Sequence, residues 1–387
     1  SMLENFQYRT RRENVRKLLT AGAVTLIAVA LALTVTACGS KKKSSSTSAS
    51  GGKVQVCALL PDTKSSVRYQ LFDAPLLSKA FKAAGLKYSV VNAQGDTNTQ
   101  ITQGQTCITS GAKVILVDAL DSGTGASIEK AAKAAGVKTI DYDRLVLGGS
   151  ASYYVSFNNV TVGKLQGQAL IAAMTAKGLI GAGKKPVVAE LDGAPTDNNA
   201  TLFAKGVHTV LDPLFSKGTI AKGPQQAVTN WDNTIAATDF NQMLTKTGNK
   251  IDAVLAANDG LAGSVATDLQ NHKLNSVPVT GQDATPGGVQ NIISGWQSMT
   301  VYKPVPLEAA AAAKAAIELI KGETVQTNGT TNDSVGKRNV PSILETPQVV
   351  NRANYQILFQ QKFLTKGQVC VGAFAKDCKT FTTPYPS

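Results

Sequence analysis

Val114-Ile115-Leu116-Val117 and Thr139-Ile140-Asp141-Tyr142 are two short runs rich in β-branched residues, and between them the Ala-rich stretch 128–135 is closed by Gly136. A buried strand, an amphipathic helix, a glycine suited to the left-handed turn at a helix end and a second strand together make one βα unit of a parallel sheet. The unit repeats in both directions. Further strands are expected at 54–60, 88–92 and 153–157, with helices over 71–84 and 99–110. After Asn159 a second series follows, with helices at 162–176, 199–211, 233–245 and 261–270 and strands at 186–191, 219–222, 253–256, 277–280 and 299–302. Two doubly wound α/β sheets account for this pattern. A third pass, a helix over 307–320 and an extended stretch over 340–349, is too short for a domain of its own.

The chain of 387 residues has room for two such lobes and a leader. Its net charge of +13 raises the question of nucleic acid, but residues 1–52 alone carry eight basic and two acidic residues. The rest of the excess is spread without a basic run or interleaved aromatics, which argues against nucleic-acid binding. Arg9, Arg11, Arg12, Arg16 and Lys17 precede an apolar run from Leu18 to Val35 that ends in Val35-Thr36-Ala37-Cys38. That is the layout of a secretory signal, and a cysteine after small residues resembles a bacterial lipobox. The expectation is a signal peptide over 1–38, acylation of Cys38, and an exported protein held at the outer face of the cell membrane by lipid. Residues 39–52, rich in Lys, Ser and Gly, read as a flexible tether. General secretion is the default route, because Glu13-Asn14 after Arg11-Arg12 is a poor match to a twin-arginine signal.

With Cys38 assigned to lipid, Cys57, Cys107, Cys370 and Cys378 form an even set in an oxidising compartment. Three pairings are open to them, and four buried free thiols are the alternative. Cys370 and Cys378 can close locally around a Gly-containing turn, so Cys370–Cys378 and Cys57–Cys107 are the expected bridges. The two histidines, His208 and His272, are not close to a cysteine cluster in sequence, so no zinc site is expected, and no cofactor. No Ser-His-Asp set at workable spacing and no Gly-rich phosphate loop is present, which argues against an enzyme.

A set of polar segments stands at the expected strand ends: Leu60-Pro61-Asp62, Arg68-Tyr69-Gln70, Val91-Asn92-Ala93-Gln94-Gly95-Asp96, Asp141-Tyr142-Asp143-Arg144, Phe157-Asn158-Asn159, Ala257-Asn258-Asp259-Gly260, Gly281-Gln282-Asp283-Ala284 and Tyr302-Lys303-Pro304. In order and spacing they resemble the periplasmic sugar-binding proteins of the ribose type, and within these the D-xylose-binding branch. The resemblance implies two similar parallel-sheet lobes joined by three crossings, with the ligand in the cleft between them. The N-lobe would be 53–157 with 304–339 and the C-lobe 158–303 with 340–387, the crossings lying near Phe157 to Asn159, Lys303-Pro304 and Val340-Pro341.

Carried onto this sequence, the ligand-binding residues are Arg68, Tyr69, Asp143, Arg144, Asn159, Trp231, Asn258, Asp283 and Lys303. A monosaccharide has hydroxyls on its rim and C–H groups on its faces, which suits arginine forks, amides and carboxylates at the edge and aromatic rings above and below. Trp231 and Tyr69 are the stacking candidates, and Trp296 reads as core or lobe surface. Where the xylose branch has Glu-Arg-Trp this chain has Val67-Arg68-Tyr69, and for Phe-Asp-Asn it has Phe157-Asn158-Asn159, differences that point to a relative of xylose. The implied function is the substrate-binding lipoprotein of an ABC sugar importer, a monomer whose partners are the sugar and a membrane permease. A sugar sensor that signals to a membrane receptor or kinase is the alternative.

Overall fold

The computed structural model describes residues 47–48, 53–181 and 183–380. The expected signal segment with Cys38 and nearly all of the tether lie outside the described residues. The strands are, in chain order, β1 (Thr47–Ser48), β2 (Val56–Leu60), β3 (Tyr88–Asn92), β4 (Val114–Val117), β5 (Lys138–Tyr142), β6 (Tyr153–Phe157), β7 (Val187–Asp192), β8 (Ala221–Ala227), β9 (Ala253–Ala256), β10 (Met299–Tyr302), β11 (Gly329–Asp333), β12 (Arg338–Glu345) and β13 (Gln348–Asn351).

In the N-lobe the sheet order is β1-β3-β2-β4-β5-β6-β12-β11, parallel from β3 to β12 with antiparallel β1 and β11 at its edges. Strand β4 is buried at every residue. Because side chains alternate across a pleat, Val114 and Leu116 join one core with Leu77, Phe81, Ala309, Ala312 and Ala316, while Ile115 and Val117 join the other with Cys107, Ile128 and Ala132. Both faces are therefore covered by helices, which is why the parallel strands read as continuous apolar runs. The small side chains of the helix Val305–Lys321 let the third pass close onto this sheet.

In the C-lobe β8, β7 and β9 form a parallel sheet in that order. The segment expected as a strand at 277–280 makes only one bridge, Val254 to Val279, and Gln282 then bridges to Val301 in β10. β13 pairs antiparallel with β10 and ends this wall.

The first two crossings follow β6 and β10, at Asn158 and at Lys303-Pro304. The third is not at Val340-Pro341 but at residues 346–347, between β12 and β13. Residues 340–345 stay in the N-lobe sheet, where Ser342 to Glu345 pair in parallel with Tyr154 to Phe157. The resemblance implied a crossing near Val340-Pro341, but Pro341 precedes the residues that pair with β6, so its missing N–H costs no bond on that side. The helix Ser122–Ala134 begins six residues before its expected start. Asp121 caps it by accepting from the Thr124 N–H, and two glycines in the first turn had hidden it.

Cys57 and Cys107 are joined, fastening β2 to the helix Thr97–Thr109, and Cys370 is joined to Cys378. The helices Asn159–Ala176 and Asn198–Ser216 run in backbone contact. A Cβ at Gly163 would lie 1.9 Å from the Phe203 carbonyl oxygen, and one at Gly206 would lie 2.1 Å from that of Val160. This close approach fixes the start of the second helix, which carries Asn199 and Phe203.

Candidate functional site

The strands of both lobes point their carboxyl ends at one cleft, the usual place for a ligand in open α/β sheets. On the N-lobe side Arg68 is fully buried. Its Nε and Nη2 donate to Asp73 at 3.0 and 2.6 Å, its Nη1 donates to Asp143 Oδ1 at 2.9 Å, and Nη2 also meets Glu308 Oε2. The Tyr69 hydroxyl donates to Asp143 Oδ2 at 2.9 Å, and its ring lies 5.3 Å from the Arg68 guanidinium carbon and 5.6 Å from that of Arg144. Asp143 adopts a left-handed φ of 56°, which turns its carbonyl oxygen to accept from Tyr154, Ser156 and Asn199. Burial alone would raise its pKa, but Arg68, Lys303 and Arg144 outweigh that and hold the carboxyl well below the usual range.

Arg144 is held more loosely. Its Nη2 donates to Ser65 Oγ at 3.2 Å and to Tyr69 Oη at 3.3 Å, and its Nη1 to the Ala119 carbonyl at 3.2 Å. Its Nε stands 3.3 Å from Asp197 Oδ2 and 3.6 Å from Asp118 Oδ1, with no hydrogen-bond partner.

The C-lobe wall carries amides and rings. Trp231 Nε1 donates to Asp197 Oδ2 at 3.1 Å, and the ring meets Phe203 edge-on at 6.4 Å between centroids. Gly193 is required under it, since a Cβ there would fall 2.1 Å from the indole. Asn258 caps the helix Asp259–Asn271 through the Leu261 N–H, and Asp283 sits at a left-handed φ of 96°. Lys303, at the second crossing, stands 3.0 Å from Asp283 and 3.9 Å from Asp143.

The lobes also touch directly. Ser66 Oγ donates to Asp283 Oδ2 at 2.9 Å, Asn258 Nδ2 to the Ser65 carbonyl at 2.8 Å and Asn199 Nδ2 to that of Asp143 at 2.9 Å. These bonds draw the cleft in to a narrow polar pocket lined from both lobes.

Residues 58–324 match the family described as the periplasmic binding protein domain. The chain belongs to this family. It is 35% identical to a D-xylose-binding periplasmic protein of Escherichia coli, over 73% of this chain and 82% of that one. A multiple sugar-binding periplasmic protein of Azospirillum brasilense is 33% identical over 79% of this chain and 88% of its own. The crystal structure of a carbohydrate transporter solute-binding protein from Chloroflexus aurantiacus in complex with D-glucose is similar with a TM-score of 0.73 at 30% identity, covering 81% of this chain and 98% of that one. Members of the family are substrate-binding proteins.

In this periplasmic binding protein Arg68, Tyr69, Asp143, Arg144, Trp231, Asn258, Asp283 and Lys303 all line the one cavity. Asn159 does not. It opens the helix after the first crossing and donates to Asn199 Oδ1 at 2.8 Å and Tyr154 Oη at 3.1 Å, so it stands behind the wall and steadies Asn199. Arg68 also differs from expectation, because three carboxyl groups occupy its fork. Cys38 lies outside the described residues. Ser65, Ser66, Asp197, Asn199, Phe203 and Gln282 line the cavity as well and were not singled out from sequence. The signal available was the polar loop after β7, which ends in Asp197 at the helix cap and leads into Asn199 in the first turn.

Proposed function

We propose that the chain is exported, anchored through lipid on Cys38 at the outer face of the cell membrane, and binds a monosaccharide, xylose or a related pentose or hexose, for delivery to the permease of an ABC importer. The observation that carries this reading is the convergence of guanidinium, amide, carboxylate and indole groups from both lobes on one narrow pocket. A sugar bridging the lobes stabilises the closed form, and that form is what the permease engages. The chain acts as a monomer and leaves its ligand chemically unchanged. The relatives' named sugars and the lipobox-like run before Cys38 support the assignment. Two substitutions relative to the xylose branch, Val67 and Tyr69, favour a relative of xylose as the preferred ligand. Val67 is 43% exposed and does not line the pocket, whereas Tyr69 lines it with its ring buried against the two arginines.

Isothermal calorimetry of the folded protein with a panel of pentoses, hexoses and polyols tests the reading. At least one member should bind with a Kd in or below the micromolar range, and silence across the panel would reject a monosaccharide ligand.

A further inference from the structure

The loop that joins β5 to β6 begins with Asp143 and Arg144, two of the groups that line the pocket. It has no regular structure of its own, so its backbone N–H groups need acceptors from elsewhere. Of the six from Val146 to Ala151, five find one on a side chain. Val146 donates to Asp141 Oδ2 at 3.0 Å, Leu147 to Ser122 Oγ at 3.0 Å and Gly148 to Asp333 Oδ1 at 2.9 Å. Ser150 and Ala151 both donate to Glu129 Oε2, the latter at 2.7 Å. A Cβ at Gly149 would fall 2.5 Å from that oxygen, so the chain lies against Glu129 only because residue 149 is glycine.

Asp141, in β5, and Glu129, in the helix Ser122–Ala134, are both fully buried, and each keeps one oxygen, Oδ1 and Oε1, that no other group of the protein satisfies. The two carboxyls adjoin as hydrogen-bonding partners. Two carboxylates only accept, so they bond to each other only through a proton, and one proton between them satisfies both orphan oxygens at once. Burial, and then Glu129 beside it, push the Asp141 carboxyl well above the usual range. Burial raises Glu129 less, because it is offset by the bonds from Asp141, Ser150 and Ala151. The shared proton therefore belongs to Asp141, which donates it to Glu129.

Little else charged bears on the pair. The helix Thr97–Thr109 and strand β4, packed in the same core, carry no charged residue, and the titratable residues of β6 are Tyr153 and Tyr154. Lys130, Lys133 and Lys138 are exposed, and Asp121 is engaged in capping its helix. Arg338, from β12, favours the charged form of both carboxyls but is itself bonded, its Nε to Asp333 at 3.2 Å and its Nη1 to the Ala151 carbonyl at 2.7 Å, and burial prevails over it.

We propose that Asp141 and Glu129 are positioning residues of the sugar site: joined by one proton, they hold the loop in the shape that presents Asp143 and Arg144 to the ligand, and release of that proton at raised pH loosens the loop and weakens binding. The proposal rests on the sugar reading and adds a regulation to it. Neither carboxyl lines the pocket. The bond between them exists while the proton is held and is lost as pH rises through the pair's titration, which leaves two buried anions side by side.

Titration calorimetry with D-xylose and with D-glucose, from pH 6 to pH 9, tests it. Wild-type affinity should fall about tenfold or more over this range. Asp141→Ala should bind about tenfold more weakly at pH 6, and Asp141→Asn, whose amide N–H replaces the proton as donor to Glu129, should regain most of that loss and show a nearly flat profile. Glu129→Gln donates to Asp141 in the same way and should flatten the profile too. A pair that only supports the fold would lower stability in these variants and leave their profiles parallel to the wild type. Parallel profiles, or wild-type affinity unchanged up to pH 9, overturn the proposal. Hydrogen exchange of the ligand-free chain, corrected for the intrinsic rate at each pH, reads the loop without a sugar. If neither sugar binds, the ligand assignment is at fault and exchange decides: protection of residues 146–151 that falls with pH in the wild type but not in Asp141→Asn supports the pair, and any other pattern overturns it.

Discussion

The two walls of the cleft are built on different principles. The N-lobe wall is a network of charges satisfied mostly by one another, with Arg68 at its centre and Asp73, Asp143 and Glu308 around it. The C-lobe wall presents neutral amides and ring edges, Asn199, Asn258, Phe203 and Trp231, with Asp197 and Asp283 as its charged members. A buried charge network is rigid because every member loses heavily if one moves. The N-lobe therefore offers a fixed platform, and the C-lobe brings the groups that close over a ligand. Glu308 shows how the platform is tied to the hinge, since it lies in the first turn of the helix after the Lys303-Pro304 crossing.

Breaking the platform should have the largest effect. Arg68→Met leaves three buried carboxyl groups around an apolar side chain, and removing one partner of a buried ionic network costs about 3–5 kcal/mol. Chemical denaturation should show that loss in the ligand-free protein. A change below about 1 kcal/mol would mean that the network is no platform.

Arg144→Ala tests the contrast from the other side. Its contacts are long, at 3.2 to 3.6 Å, and its Nε has no hydrogen bond, so the fold gains little from it. The expected result is a loss of sugar affinity of about a hundredfold, or about 2.7 kcal/mol, with a smaller loss of stability than in Arg68→Met. Equal stability losses in the two variants would erase the distinction between a structural and a ligand-facing arginine.

Much of the fold was legible because parallel strands buried on both faces leave unbroken β-branched runs, as at Val114 to Val117, and because loops after strands carry ligand groups. The rest depended on contacts that sequence spacing hides. Arg68 read as an open fork because Glu308, which fills it, is 240 residues away and reaches it only when the third-pass helix returns to the N-lobe. Asn159 was carried over as a ligand group from a family contact position, yet the helix that starts there turns its amide toward Asn199 and Tyr154. The crossing near Val340-Pro341 came from the family pattern alone, and the register of β12 against β6 moves it past Glu345.

The smallest expected effect sharpens the comparison away from the cleft. Glu190, in the central strand β7 of the C-lobe sheet, is buried like Asp73 and Asp143 but lacks their arginine partner. Its Oε2 has no hydrogen bond and lies 3.5 Å from His208 Nε2, while His208 Nδ1 is 2.9 Å from Asp212. Burial, only partly offset by His208 and Lys222 and reinforced by Asp192 and Asp212, pushes the Glu190 pKa up to about 7. An unfolded glutamate titrates near 4.3, so between that pH and 7 the folded chain holds a proton the unfolded chain has released, and stability falls as pH rises through this window. Glu190→Gln removes that slope. From pH 5 to pH 8 the wild type should lose about 1–2 kcal/mol more than the variant in denaturant titrations. Parallel pH profiles would show that Glu190 is as well compensated as Asp143.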